Sequence, residues 1–183
     1  QDKEYTFNGN GTRIEIEKPE NWTPENPKLY DFELISGMDK ITSYVALRTV
    51  TIEENKICLN GKPYFFHGLL DQGYFSDGIY LPATEKGFEY DIVTMKECGF
   101  NMLRKHIKIE PEIFYYYCDK YGMVVFQDFV NSGKYNFFID TLLPTIGLKK
   151  GISHFASKKR REAFKKDSKE TIALLYNHPC VCY

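Results

Sequence analysis

Residues 100–126 read FNMLRKHIKIEPEIFYYYCDKYGMVVF, and this stretch decides the fold. Its two ends suit strands, 100–105 (FNMLRK) and 123–126 (MVVF). Pro111 stands at a first-turn position and Gly122 follows the last turn, which predicts a helix between them. The apolar residues of that helix recur at helical spacing: Ile113, Phe114, Tyr117, Cys118 and Tyr121. A strand, a helix and a strand in succession predict parallel pairing through a right-handed crossover.

The same alternation continues on both sides of this stretch. Residues 64–70 (YFFHGLL) suit a strand buried on both faces, and a helix after it places three apolar residues on one face: Phe88, Ile92 and Met95. Downstream, residues 157–176 have the pattern of a basic amphipathic helix, and 178–183 (HPCVCY) suit the start of a fourth strand. A (β/α)8 barrel needs about 250 residues. The fold class predicted for residues 56–183 is therefore α/β, the first, N-terminal half of a TIM barrel.

Residues 1–55 follow a different pattern. Residues 12–17 (TRIEIE) and 29–35 (LYDFELI) alternate between apolar and polar side chains, and 41–52 form a longer extended run. Three strands joined by loops of this length make a poor domain alone. We therefore expect them to be the C-terminal strands of a β-sandwich.

The composition excludes several classes of function. Hydrophobic residues make up 43% of the 183 residues and aromatic residues 16%, which excludes a disordered chain. The net charge of −1 gives no basic excess for binding nucleic acid, and no run of about 18 apolar residues suits a membrane span. Because GxGxxG, GxxxxGK[ST] and CxxC motifs are absent, we expect no cofactor and no metal. The five cysteines are expected to be buried, reduced thiols, and the compartment stays open between cytoplasmic and periplasmic or secreted.

Polar side chains cluster where the predicted strands end. The carboxyl ends of parallel strands meet at one rim, where an arginine, a histidine, carboxylates and amides would hydrogen-bond many hydroxyl groups. Such a set suits a sugar better than an apolar ligand. The predicted substrate-binding residues are Asp71, Gln72, Arg104, His106, Asp128 and Asn131; Gln127 lies beside Asp128 in the same polar cluster.

Several polar residues also have purely structural interpretations. Arg104 and Asp128 would suit an ion pair on the rim, and His106 would suit a loop position without a role. His67 lies inside an apolar run, so we expect a hydrogen-bonded core histidine. The basic run 158–169 (KKRREAFKKDSK) repeats at helical spacing, which predicts a solvated outer helix rather than a nucleic-acid surface.

The same stretch resembles a known family. Residues 101–106 (NMLRKH) followed by 119–126 (DKYGMVVF) are similar to the signature of glycoside hydrolase family 2, which includes β-galactosidases, β-glucuronidases and β-mannosidases. Residues 43–50 (SYVALRTV) resemble the family's strand leading out of an immunoglobulin-like domain. Residues 59–63 (LNGKP) resemble the start of its barrel, and 177–179 (NHP) resemble the Asn-His-Pro before its fourth strand.

The resemblance implies a retaining β-glycosidase that acts on a carbohydrate through two carboxyl groups about 5–5.5 Å apart. In the family, one glutamate lies a few residues past Asn-His-Pro and the other lies on strand seven. Both are therefore expected beyond Tyr183, and this chain is expected to be a fragment that is inactive alone. The resemblance also makes the sandwich of residues 1–55 immunoglobulin-like. A single Lys105 between Arg104 and His106, and the loop 71–78 (DQGYFSDG), depart from the β-galactosidase pattern and suggest another β-linked sugar.

Two other functions fit the same residues. The first is a non-catalytic carbohydrate-binding module that reuses the fold. The second is an unrelated α/β enzyme in which Asp128 and His106 assist a cysteine nucleophile such as Cys118. A half barrel leaves a strand edge unpaired and a sheet face uncovered. This predicts that the truncated barrel either self-associates through those surfaces or is partly disordered around residues 129–156.

Overall fold

The computed structural model describes residues 3–130, 137–147 and 157–182. Within them, strands β1 (Tyr30–Ser36) and β2 (Asp39–Val45) form an antiparallel hairpin, and β3 (Val50–Glu53), β4 (Lys56–Leu59) and β5 (Lys62–Pro63) form an antiparallel sheet. Strands β6 (Gly68–Asp71), β7 (Met102–Lys105) and β8 (Val124–Gln127) form a parallel sheet. The helices are α1 (Lys86–Glu97), α2 (Glu112–Tyr121), α3 (Leu143–Thr145), which follows a π-helical turn at Phe138–Leu142, and α4 (Lys158–Leu175).

The parallel sheet has its strands in sequential order, so the predicted alternation of strands and helices is confirmed. Asp71, Lys105 and Gln127 stand side by side in the register of β6, β7 and β8. The predicted fourth strand begins beside β8, because the amide of Val125 donates to the carbonyl of Cys180 at 2.8 Å and the amide of Cys182 donates to Val125 at 3.1 Å. Sequential parallel strands joined by helices are the geometry of a TIM-type barrel.

Helices α1 and α2 cover one face of this sheet and form the core with it. Phe75, Phe88, Phe114 and Tyr115 stack edge to face in a row, with centroid separations of 5.4, 5.7 and 5.1 Å. Leu103, in the central strand beneath them, is fully buried. The end of α2 follows the sequence, since Gly122 adopts the left-handed conformation that a helix C-terminus favours (φ 73°).

The segment before β1 packs against the base of the barrel half. Trp22 is fully buried, and its indole N–H donates to the backbone carbonyl of Asp119 at 2.8 Å. Lys96 of α1 donates to the carbonyls of Pro24 and Gly122 at 2.9 and 3.1 Å. Burial lowers the pKa of Lys96. The N-terminal segment is therefore part of the same packed core as α2.

Three expected elements differ from the structure. Residues 12–17 form no strand, because an alternating segment becomes a strand only beside a partner strand, and no strand in the described residues pairs with this segment. The run 41–52 is divided between β2 and β3, which lie in different sheets. The strand expected at 64–70 begins only at Gly68, and it is not buried on both faces: Leu70 is 56% exposed on the face that α1 and α2 do not cover.

Candidate functional site

An arginine–carboxylate pair lies at the carboxyl end of the parallel sheet. Arg104 of β7 donates through Nε to Asp128 Oδ1 at 3.1 Å and through Nη2 to Asp128 Oδ2 at 2.9 Å. This bidentate geometry is the strong, orienting form of the contact. The hydrogen bonds to Asp128 raise the pKa of Arg104. The Arg104 side chain is 58% exposed, so the pair is accessible from solvent.

The pair lies on the sheet face that α1 and α2 leave open. Leu70, Arg104 and Phe126 are opposite one another in the register, and side chains at paired positions point to the same face. His106 follows two residues after Arg104, is half-buried, and donates its backbone N–H to the carbonyl of Asp71 at 2.9 Å. Arg104, His106 and Asp128 thus belong to one end of the sheet.

Asp71, which the sequence places with Arg104, lies on the opposite face. Its Oδ2 accepts from Nζ of Lys105 at 2.9 Å, and its Oδ1 accepts from the backbone N–H of Gly73 at 2.7 Å. Gln72 is exposed in the loop that follows β6. The predicted residues therefore do not converge on one face, because the alternation of side chains along β6 and β7 separates Asp71 from Arg104. Asn131 lies outside the described residues.

A buried ion cluster surrounds Asp71, and the sequence analysis missed it. The Lys105 side chain is 1% exposed and contacts both Asp71 and Glu110; Lys108 Nζ lies 2.9 Å from Glu110 Oε1. The Glu110 side chain is fully buried and that of Asp71 is 22% exposed, so two lysines and two carboxylates balance one another at the edge of the core. Lys105 lies 4.8 Å from the centroid of the Phe114 ring. The available signal was that Lys105 lies two residues after Leu103 and so on the same, buried face of the strand, since a buried lysine needs a carboxylate partner.

The ion cluster anchors the loop that follows β6. Lys108 Nζ donates to the carbonyl of Gly73 at 2.6 Å and to that of Tyr80, and it lies 4.2 Å from the centroid of the Tyr80 ring. Within the loop, Phe75 and Ile79 exchange backbone hydrogen bonds of 2.9 and 2.8 Å. The loop is thus held as a small hairpin that presents exposed apolar side chains near the rim: Tyr74, Ile79 and Tyr80.

We expect Gly73→Ala to destabilise the chain more than Gly37→Ala does. Both glycines have a positive φ, 68° and 61°, so alanine at either position costs about 1–2 kcal/mol of backbone strain. A Cβ on Gly73 would lie 2.2 Å from Glu110 Oε1 and 2.4 Å from Lys105 Nζ, whereas a Cβ on Gly37 meets no atom within 4 Å. Urea unfolding followed by circular dichroism measures the difference. Equal losses in the two variants would show that the ion cluster yields to the added methyl group.

Gln127 has a structural place beside this cluster. It is 6% exposed, accepts from the hydroxyl of Tyr115 at 2.7 Å, and donates to the carbonyls of Lys108 and Asp128 at 3.1 and 3.0 Å. Tyr115 is fully buried. Gln127 therefore joins the anchored segment around Lys108 to the residue that pairs with Arg104.

His67, expected in the core, is instead exposed, because the strand begins after it.

Three of the five cysteines, including Cys118, are poorly placed for nucleophilic chemistry. All five are free thiols, and Cys118 and Cys180 are fully buried. Burial raises the pKa of both of these thiols, and it raises the pKa of Cys182 to about 11. A thiolate is therefore disfavoured at each of the three. Cys98 is exposed, contrary to the expectation that all five are buried.

The fold and the rim together define a barrel of the TIM type with polar groups at the carboxyl ends of its strands. Residues 50–182 match the family model described as glycosyl hydrolases family 2, TIM barrel domain. The chain belongs to glycoside hydrolase family 2.

Curated relatives and solved structures agree with this family. The chain is 29% identical over 119 residues to a β-galactosidase of Staphylococcus xylosus and 31% identical over 120 residues to one of Vibrio vulnificus. These matches cover 65% and 61% of the chain but only 12% and 11% of the two relatives. A β-D-glucuronidase structure from Dictyoglomus thermophilum matches 91% of the chain and 28% of its own length, with a TM-score of 0.72 and 23% identity. A β-galacturonidase from Eisenbergiella tayi, bound to galacturonate, matches 89% of the chain and 26% of its own length, with a TM-score of 0.66 and 21% identity.

In the parts of the chain that the structure describes, no helix combines the length and the apolar character that crossing a bilayer requires.

Proposed function

We propose that this chain is the early-strand part of a retaining β-glycosidase that releases terminal β-linked sugars from oligo- or polysaccharides. The observation that carries the proposal is the exposed, bidentate Arg104–Asp128 pair at the carboxyl end of a family 2 barrel sheet. In barrels of this type the active site lies at that end. The names of the relatives support sugar substrates that include galactosides, glucuronides and galacturonides.

In this proposal the described residues bind and orient the sugar. Arg104 donates to sugar hydroxyl groups through guanidinium N–H groups that Asp128 leaves free, and Asp128 accepts from others. His106 extends the same end of the sheet, and Gln72 contacts sugar from the loop after β6. Asn131, three residues after Asp128 in the sequence, is proposed as a further sugar contact. Asp71 acts indirectly, through the ion cluster that anchors the loop after β6. The catalytic acid/base and nucleophile are glutamates beyond Tyr183, so residues 1–183 alone hydrolyse nothing.

The proposal is tested with two polypeptides, residues 1–183 and the full polypeptide that carries them. We expect the full polypeptide to hydrolyse aryl β-glycosides, and Asp128→Asn to lower its kcat/KM by about 10- to 100-fold, as for loss of a hydrogen bond to a charged group. Glu112→Gln likewise replaces a carboxylate with an amide, at an exposed position of α2, so it is the matched control and leaves kcat/KM unchanged. Turnover by residues 1–183 that Asp128→Asn abolishes would contradict the assignment of catalysis to later strands.

The boundaries of the two units are also proposed. We infer that residues 1–55 are the C-terminal part of an immunoglobulin-like β-sandwich and that residues 56–183 begin the barrel. The hairpin of β1 and β2 supports a larger sandwich, because Phe32, Leu34 and Ile41 share one of its faces in the register and are exposed by 41, 42 and 59%. The same apolar surface supports self-association of residues 1–183. A monomer mass by light scattering that does not change with concentration would refute the self-association.

A further inference from the structure

Three separate segments of the sequence meet at one buried carboxylate. Asp119 of α2 is fully buried. Its Oδ2 accepts from the hydroxyl of Tyr44 at 2.7 Å and lies 2.7 Å from Nδ1 of His178, while its Oδ1 accepts from the backbone N–H of Cys180 at 2.8 Å. Tyr44 lies in β2, and His178 and Cys180 lie at the start of the fourth strand. One side chain thus joins the N-terminal hairpin, a barrel helix and a barrel strand.

The donors around Asp119 are fixed by their surroundings. Burial and the charge of Asp119 raise the pKa of Tyr44, so its hydroxyl stays protonated and donates. The ring of His178 lies 5.3 Å from that of Tyr115, centroid to centroid. Because a carboxylate only accepts, Nδ1 of His178 carries the proton in this contact. A buried carboxylate with three donors is a rigid anchor rather than a ligand site.

Arg48 holds the other edge of the fourth strand. Its Nε donates to the carbonyl of Pro179 at 2.8 Å, and its Nη2 donates to the carbonyl of Val181. The carbonyl of Cys180 and the amide of Cys182 are used in pairing with β8. Since successive backbone groups of a strand point to opposite edges, Arg48 occupies the edge that β8 does not. Both edges at the start of this strand are therefore engaged.

We propose that Tyr44, Arg48, Asp119 and His178 are positioning residues that set the register of the fourth strand against β8. A slip of one residue would turn every side chain of that strand to the other face, so a fixed start determines which side chains reach the rim. The hairpin of β1 and β2 thereby acts on the barrel, because it supplies Tyr44 and the loop after it supplies Arg48. The consequence for catalysis rests on the proposed function, and the consequence for the strand does not.

The register is tested first on residues 1–183 by hydrogen exchange. We expect Asp119→Asn, which replaces Oδ2 or Oδ1 by a donor, to speed exchange of the Val125 and Cys182 amides by about tenfold or more through local opening. The amide of His106, which donates to Asp71 between β6 and β7, serves as the internal reference and stays unchanged. Tyr44→Phe is the milder second variant should Asp119→Asn fail to fold, and Glu112→Gln is the matched surface control. Unchanged exchange at Val125 and Cys182, or equal acceleration at all three amides, would overturn the proposal.

The catalytic consequence is then measured on the full polypeptide. A shifted fourth strand misplaces reacting groups without removing sugar contacts of the earlier strands, so we expect Arg48→Ala to lower kcat by about 100-fold with little change in KM. Arg48→Lys, which keeps a cationic donor group but on a single nitrogen, restores part of the kcat. A rise in KM alone would overturn the positioning role. A parent without glycosidase activity, with exchange still faster in Asp119→Asn, would refute the proposed function and support the register.

Discussion

Replacing Lys105 with methionine is expected to lower the free energy of unfolding by about 3–5 kcal/mol, the cost of breaking a buried ion pair from one side. Lys105 is 1% exposed and contacts both Asp71 and Glu110. In Lys105→Met, Lys108 remains beside Glu110, whereas Asp71 loses the lysine that contacts it. Methionine preserves most of the side-chain volume, so the loss reports on charge rather than on a cavity.

The measurement is urea unfolding of Lys105→Met beside Lys120→Met, a matched substitution at a side chain that is 43% exposed. We expect the control to change stability by less than about 1 kcal/mol, as for exposed pairs. The double variant Lys105→Met/Asp71→Asn separates the effects, because it also removes the carboxylate that has lost its lysine and should recover part of the loss. A Lys105→Met loss no larger than that of the control would show that the cluster is hydrated and unimportant for folding.

The second large effect is expected from Trp22→Ala, at about 3–5 kcal/mol, the usual range for deleting a buried aromatic side chain. Trp22 is fully buried in the core cluster that contains α1, α2 and β8, and its N–H donates to Asp119. Tyr5→Ala, at a side chain that is 42% exposed, is the control for removing an aromatic residue outside the core.

Trp22→Phe divides this effect into packing and hydrogen bonding. It retains most of the apolar contact and loses the indole N–H, so we expect it to fall between the wild type and Trp22→Ala. Thermal unfolding of the wild type, Trp22→Ala, Trp22→Phe and Tyr5→Ala is monitored at the aromatic circular-dichroism bands. If Trp22→Ala unfolds at the same temperature as Tyr5→Ala, the N-terminal segment does not contribute to the barrel core.

The sequence predicts those elements whose signals are local. Pro111 and Gly122 bracket α2 because a fixed φ and a left-handed φ are properties of single residues. The Arg104–Asp128 pair was anticipated as an ion pair because both residues end neighbouring strands. Parallel pairing followed from the alternation of elements, which the register of β6, β7 and β8 confirms.

What the sequence did not predict depends on contacts between distant segments. Glu110 and Lys108 lie in a loop, and nothing in their neighbourhood shows that they return beneath β6 to meet Asp71 and Lys105. Likewise, the side of the sheet on which Asp71 lies depends on a register that is settled only when β6 pairs with β7. Trp22 gave no signal at all, because a single tryptophan between prolines suits a loop as well as a core.

The burial of Trp22 limits where this chain can be cut and recombined with a related protein. A gene fusion cut at residue 50, where the family match begins, would separate the tryptophan from the pocket that α1 and α2 form for it. The barrel half would then expose apolar surface at its base, and the detached N-terminal segment would carry Trp22 without the pocket that buries it. A chimera built from this chain must therefore transfer residues 20–48 together with the barrel, so that Trp22 stays in its pocket.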